Sequence, residues 1–251
     1  MSEIITDLGF DSKSLWQPKG FVPSPYPETT WPHFEGLDLK KLNEIEGEDL
    51  TPLQNGVNKP MVEGAFRHFY NDKIEKLAHM WVLISRSIAG GMWMGWPNDN
   101  YDFPALVLAW EESKKRLHVI IDIMPLADCV EHEWYREKYL DGVEPAYDKF
   151  KDLIGPPSTY RWFRAQQGPY MIFDGPSGQR ERALECETEY IKHWVDVVKK
   201  AEPLKDDDYK TYVNKRKRLM MSQLRQRDPL GSVLLRTLGP ELGKKCSIGY
   251  T

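Results

Sequence analysis

Between Phe103 and Phe173 the chain alternates apolar runs with turn chemistry, and no other stretch restricts the fold so strongly. Phe103–Trp110 reads FPALVLAW, Glu111-Glu112-Ser113-Lys114-Lys115 turns the chain, and Arg116–Pro125 reads RLHVIIDIMP. Apolar runs of this length, rich in Val and Ile and bounded by Pro and charge, favour strands over helix. The short connection makes the pair an antiparallel hairpin. The amphipathic block Glu131–Lys151 is expected to be helical, and two short strands, Tyr160–Ala165 and Tyr170–Phe173, follow it.

Upstream, Leu77–Ser87 and Gly91–Trp96 read as two more strands around Ala89-Gly90-Gly91. Met61–Ile74, with Ala65, Phe69 and Ile74 near one face, predicts a helix. Residues 1–60 form an arm, rich in proline and aromatics from residue 11 onward, expected to lie extended on a single domain spanning 61–251. Each proline there removes a backbone donor and biases its predecessor away from the α region. Downstream, Gln179–Ala201 carries Leu184, Ile191, Trp194, Val195 and Val198 at helical spacing, a basic helix covers Tyr212–Leu224, and another covers Ser232–Leu238. Six strands joined by short connections, with helices before and after, predict an α+β fold. Its form is a three-layer α/β/α sandwich around an antiparallel sheet.

Composition narrows function by exclusion. The formal net charge is −4, which gives no general basis for nucleic-acid binding. No apolar run approaches the roughly 18–20 residues that cross a bilayer, and Met1–Phe10 lacks a signal-peptide pattern. A cytoplasmic protein is expected, or a stromal one if the source is a phototrophic eukaryote. Cys129, Cys186 and Cys246 are odd in number, far apart and without a CxxC spacing, so no disulfide framework or metal site is expected. Dinucleotide, phosphate-loop, HExxH and GxSxG signatures are absent.

Two segments carry candidate chemistry. Alternation along Arg116–Met124 sends His118, Ile120 and Asp122 to one face and Leu117, Val119, Ile121 and Ile123 to the other. If helices cover the first face, its imidazole and carboxylate become a candidate site; otherwise they are a wetted polar stripe. Asp228, in Arg227-Asp228-Pro229-Leu230-Gly231-Ser232, is suited either to capping a helix or to relaying protons into a cavity where burial raises its pKa.

Ile121–Asp128 (IDIMPLAD), Trp134–Asp141 (WYREKYLD), Tyr160–Arg164 (YRWFR) and Arg227-Asp228 with Leu234–Gly239 (LLRTLG) occur in an order that resembles the ferredoxin-dependent bilin reductases and, more closely, their relative red chlorophyll catabolite reductase. The resemblance spans about Leu77 to Gly239 and rests on element order more than on residue identity. It implies an enzyme without metal or flavin, in which reduced ferredoxin delivers single electrons to an open-chain tetrapyrrole held between sheet and C-terminal helices. Asp228 matches the family's C-terminal aspartate and is the expected proton donor, with His118 and Asp122 helping to orient the pigment. Met92, Trp93, Trp96, Tyr101, Leu108, Trp110 and Trp162 are candidates to line the pigment slot, and Arg164, Arg225 and Arg227 to pair with its carboxylates.

The chain departs from the family pattern on the central hairpin, where Leu108 or Ala109 stands in place of an acidic residue, and at Met92, where bilin reductases often carry His or Asn. Glu111, His118 and Asp122 are the nearby substitutes for the missing carboxylate. Lys215-Arg216-Lys217-Arg218 is either a solvated helix face or the patch that steers acidic ferredoxin. The departures leave two other readings open. One is the same fold acting on a different hydrophobic substrate, and the other is a protein that binds a tetrapyrrole or a partner without catalysis. The aromatic arm also suits a homodimer contact.

Overall fold

The computed structural model describes residues 31–41, 62–84, 88–113, 117–155, 161–173 and 179–227. Its centre is a seven-stranded antiparallel meander in which every strand pairs with its neighbour in sequence, in the order β1 to β7. The strands are β1 (Lys40–Lys41), β2 (Val62–Tyr70), β3 (Ile74–Ile84), β4 (Ile88–Pro97), β5 (Ala105–Ser113), β6 (Leu117–Met124) and β7 (Ile172–Phe173). The helices are α1 (Glu133–Tyr139), α2 (Glu144–Lys149), α3 (Arg161–Arg164), α4 (Arg180–Lys200) and α5 (Asp207–Arg227). This is the expected three-layer sandwich, and the hairpin read at Phe103–Pro125 is β5–β6.

Three local expectations are corrected. Met61–Ile74 is not a helix: β2 pairs with β3 from Val62↔Ile84 to Phe69↔Leu77. The chain then reverses at Asn71, whose side-chain oxygen accepts from the amides of Lys73 (2.9 Å) and Ile74 (2.7 Å). A helical spacing that counts Ile74 therefore runs through an Asx turn. Tyr160–Ala165 is not a strand: Arg161–Arg164 makes one helical turn, closed by Ala165 N donating to Arg161 O at 3.1 Å. The sheet edge beside β6 is taken by Ile172–Phe173 instead. Within the arm, Trp31–Leu37 is a 3-10 helix that buries Phe34 and Leu37, not an extended segment. The helix read at Ser232–Leu238 lies outside the described residues.

The two faces of the sheet are packed differently. On one, Trp93, Leu106, Leu108, Trp110, Val119, Ile121 and Ile123 meet α4, the 3-10 helix and the α1–α2 segment in a continuous core. Glycines make that packing possible. A Cβ on Gly91 would lie 2.6 Å from the Trp110 indole nitrogen, and one on Gly95 would lie 2.8 Å from the Trp194 ring. On the other face, Ala78, Met80, Met92, Met94, Trp96, Ala105, Val107 and Met124 pack with Val213, Met220 and Leu224 of α5.

Candidate active site

While His79 packs on Trp93 in the opposite core, the α5 side of the sheet carries Asp122. Strand register sets three rows there: Gly90, Glu111 and His118; Met92, Ala109, Ile120 and Phe173; Met94, Val107 and Asp122. Met92, Met94, Val107 and Asp122 are buried, Ala109 and Ile120 are half-buried, and Glu111 is exposed. The helix is anchored at the opposite end of the sheet, where Lys217 Nζ reaches Glu75 (2.6 Å), Asp99 (2.7 Å) and Pro97 O (3.0 Å). The result is an apolar floor of Met92, Ala109 and Ile120, with Glu111 and His118 at its outer rim and Asp122 at its inner one.

Asp122 is the carboxyl that burial pushes upward, where Asp99, Asp128 and Asp152 are all held below their ordinary value by their partners. It is 1% exposed. Burial pushes its carboxyl up to about 7, and the amides of Gly168 and Ile123 pull in the opposite direction without prevailing. Gly168 N donates to both carboxyl oxygens, at 3.0 and 3.3 Å. Only glycine fits so close, because a Cβ at 168 would stand 2.5 Å from Ile123 O and 2.7 Å from Asp122 Oδ1. The same segment reaches α5 through Gln166 Nε2, which donates to Gln223 at 2.9 Å. Gln166 is 5% exposed, and its Oε1 has no hydrogen-bond partner. His118 lies half-buried, its ring edge-on to Phe173 at 5.0 Å.

The expected site residues are thus partly gathered and partly dispersed. His118, Asp122, Met92, Trp96 and Trp162 belong to the α5 side. Trp93, Leu108 and Trp110 lie in the opposite core, and Tyr101 packs against that core, so these residues do not line the same slot as Asp122. The cause is strand alternation: Met92 and Trp93 are neighbours in sequence and point to opposite faces. Trp93 instead stacks on His79 at 4.3 Å and on Phe34 at 4.9 Å. Arg164, Arg225 and Arg227 are exposed, and Arg225 is near enough to Lys76 to help burial push that amine down to about 8. Asp228 lies outside the described residues.

The basic run is also redistributed. Lys215 and Arg218 are exposed, Arg216 is half-buried and donates to Pro125 O at 3.4 Å, and Lys217 is only 2% exposed. Lys217 is therefore a buried anchor of α5, not part of a surface patch.

Solved structures place this architecture. Phytochromobilin synthase from tomato, crystallised in complex with biliverdin, matches the chain with a TM-score of 0.71 at 19% sequence identity, over 88% of this chain and 78% of that one. The two share a fold. No family model matches the sequence, and no curated protein does. At this identity the phytochromobilin synthase fold carries over while individual side-chain roles do not. Among the described residues, no helix is long and apolar enough to cross a membrane.

A second polar centre lies at the β4–β5 connection, at the end of the sheet where Lys217 anchors α5, and was not anticipated from sequence. Asp102, 1% exposed, accepts from Tyr139 at 2.6 Å and from Tyr209 at 3.2 Å, while Tyr135 donates to its backbone oxygen at 2.8 Å. Burial first, then the neighbouring carboxylate, raises the Tyr139 and Tyr209 hydroxyls far above their ordinary range, so both stay protonated donors. This knot ties α1 and α5 to the β4–β5 connection and fixes where α5 crosses the sheet.

Proposed function

We propose that the protein reduces an open-chain tetrapyrrole, bound over Met92, Ala109 and Ile120, with Asp122 supplying a proton. The observation that carries this reading is Asp122 itself, a buried carboxyl whose pKa is pushed up to about 7, on the sheet face where Ala109 and Ile120 are only half-buried. A group with a pKa near the working pH is suited to donate a proton and to be reloaded between turnovers. That a protein of the same fold was crystallised with biliverdin supports a pigment of this class. Reducing one double bond consumes two electrons and two protons. The electrons come singly from an external carrier such as reduced ferredoxin, and the protons arrive through Asp122 with Asp228 as the second donor. His118 and Glu111, opposite one another across β5 and β6, orient the pigment at the outer rim, and the Gln166 Oε1 acceptor takes a pyrrole or lactam N–H.

The test is turnover of biliverdin with a ferredoxin-reducing system. Asp122→Asn should retain pigment binding and lose about 100-fold or more in rate, the usual scale for a positioned acid. An unchanged rate removes Asp122 from the mechanism. Asp228→Asn, assayed in parallel, tells whether the two acids act in sequence.

A further inference from the structure

We infer that Gln166 and Gln167 are a paired reader for a lactam, a cyclic amide: Gln166 Oε1 accepts its N–H and Gln167 Nε2 donates to its C=O. The inference rests on the pigment reading above and narrows it to ligands that end in a lactam ring. Backbone bonding leaves only the side chains for this task. The turn of α3 continues past Arg164, with Gln166 N donating to Phe163 O at 2.9 Å and Gln167 N to Arg164 O at 3.5 Å. Gly168 N goes to Asp122. All three backbone amides are engaged, and the segment is tied to α3 at one end and to the acid at the other.

Chemistry fixes which way the Gln166 amide is turned. Its Nε2 donates to Trp162 O at 3.2 Å and to Gln223 Oε1 at 2.9 Å. A main-chain carbonyl only accepts, so the reversed amide would set oxygen against oxygen. Oε1 is therefore the atom left over, a buried acceptor without a donor in a residue 5% exposed. Gln167 is half-buried, yet its Nε2 is buried and has no acceptor. Two consecutive residues thus leave one acceptor and one donor unmatched. Such groups are costly inside a protein, and a pair of opposite polarity defines its complement. A pyrrole N–H offers only a donor and a carboxylate only acceptors, whereas a lactam offers both along one edge. Because Gly168 holds Asp122, the ring that the two amides read is the one set toward the acid.

The experiment titrates the full-length protein with biliverdin and with its lactim methyl ether, in which each end ring carries C–OCH3 and an imine nitrogen in place of C=O and N–H. Wild type should bind biliverdin about 100-fold or more tightly than the ether, since buried hydrogen-bonding groups reject a ligand that leaves them unmatched. Gln167→Met keeps the length of the side chain and removes the donor. It should bind biliverdin about tenfold more weakly and discriminate about tenfold less, the scale of one hydrogen bond. The bulk of the methyl groups burdens both proteins alike and cancels in that comparison. The melting temperature of Gln167→Met without pigment should equal or exceed that of wild type, because an unmatched buried donor is gone. In the infrared, the lactam C=O stretch of bound biliverdin should lie lower in wild type than in Gln167→Met. Gln167→Glu, which sets a carboxylate against the lactam oxygen, should weaken biliverdin at least as much and is the second variant should methionine disturb folding. Equal discrimination in wild type and variants, with an unmoved C=O band, overturns the inference. No absorption change when wild type meets biliverdin removes the pigment reading and this inference together, whereas a change without discrimination removes this inference alone.

Discussion

The two faces of the sheet use the same strands to opposite ends. Toward α4, Gly91 and Gly95 of β4 each receive an indole, Trp194 sits edge-on to Phe34 and Phe103, and its N–H donates to Pro104 O at 2.8 Å. Toward α5, methionines and small residues pack around Trp96, and Asp122 and His118 share the surface with the buried acceptor of Gln166 nearby. The Trp96 indole N–H on this side is likewise buried without a hydrogen-bond partner. A face that leaves donors and acceptors unmatched is less stable than it could be, and such groups are where a ligand gains most by binding. The α4 face is built for stability and the α5 face for recognition.

That contrast breaks first in the α4 core. Trp194→Ala removes a fully buried indole and should cost about 3–5 kcal/mol by denaturant unfolding, the range for emptying an aromatic site. A cost below about 1 kcal/mol means that this face is loosely packed and the comparison fails.

Asp122→Asn should act in the opposite direction. Because burial raises this acid from 3.8 to about 7, the folded state holds its proton where the unfolded chain has lost it. Stability therefore falls as pH rises from about 4 to about 7 and stays lower above that. Asparagine carries no charge and can still accept from Gly168, so the variant should be about 2–4 kcal/mol more stable than wild type at pH 8 and similar to it at pH 4. A stability difference independent of pH contradicts the assignment.

Gly168→Ala follows, at about 1–3 kcal/mol, since its methyl group must displace Ile123 O and the Asp122 carboxyl. It should also move the pH dependence of folding, which a glycine acting only as a flexible link would not do. Lys215→Glu is the smallest, within about 0.5 kcal/mol, because the residue is exposed.

Much of this was legible in the sequence, and the failures have physical causes. The β5–β6 hairpin showed itself because one face of Arg116–Met124 is uniformly aliphatic, and the same alternation put His118 and Asp122 together correctly. β2 escaped because Ala65, Phe69 and Ile74 mimic a helical stripe, while the Asn71 turn that separates Ile74 from the others was overlooked. Lys217 was grouped with its charged neighbours although Val213, Lys217, Met220 and Leu224 follow a 4-3-4 spacing that sets it in the buried stripe of α5. Choosing slot residues by aromatic character alone ignored strand parity, which sends Trp93 and Trp110 into the other core. Asp102 and Gly168 left no local signal. Their partners, Tyr139 and Tyr209 for one and Asp122 for the other, are 37, 107 and 46 residues away.

The central claim is that a linear tetrapyrrole lies on the α5 side of the sheet within reach of Asp122. The direct measurement is the visible spectrum of biliverdin mixed with micromolar protein, recorded from pH 5 to pH 9 for wild type and for Asp122→Asn. The account predicts a bound spectrum that titrates with a midpoint near 7 in wild type and loses that step in the variant. Identical titrations in the two proteins, or no spectral change on mixing, would contradict it.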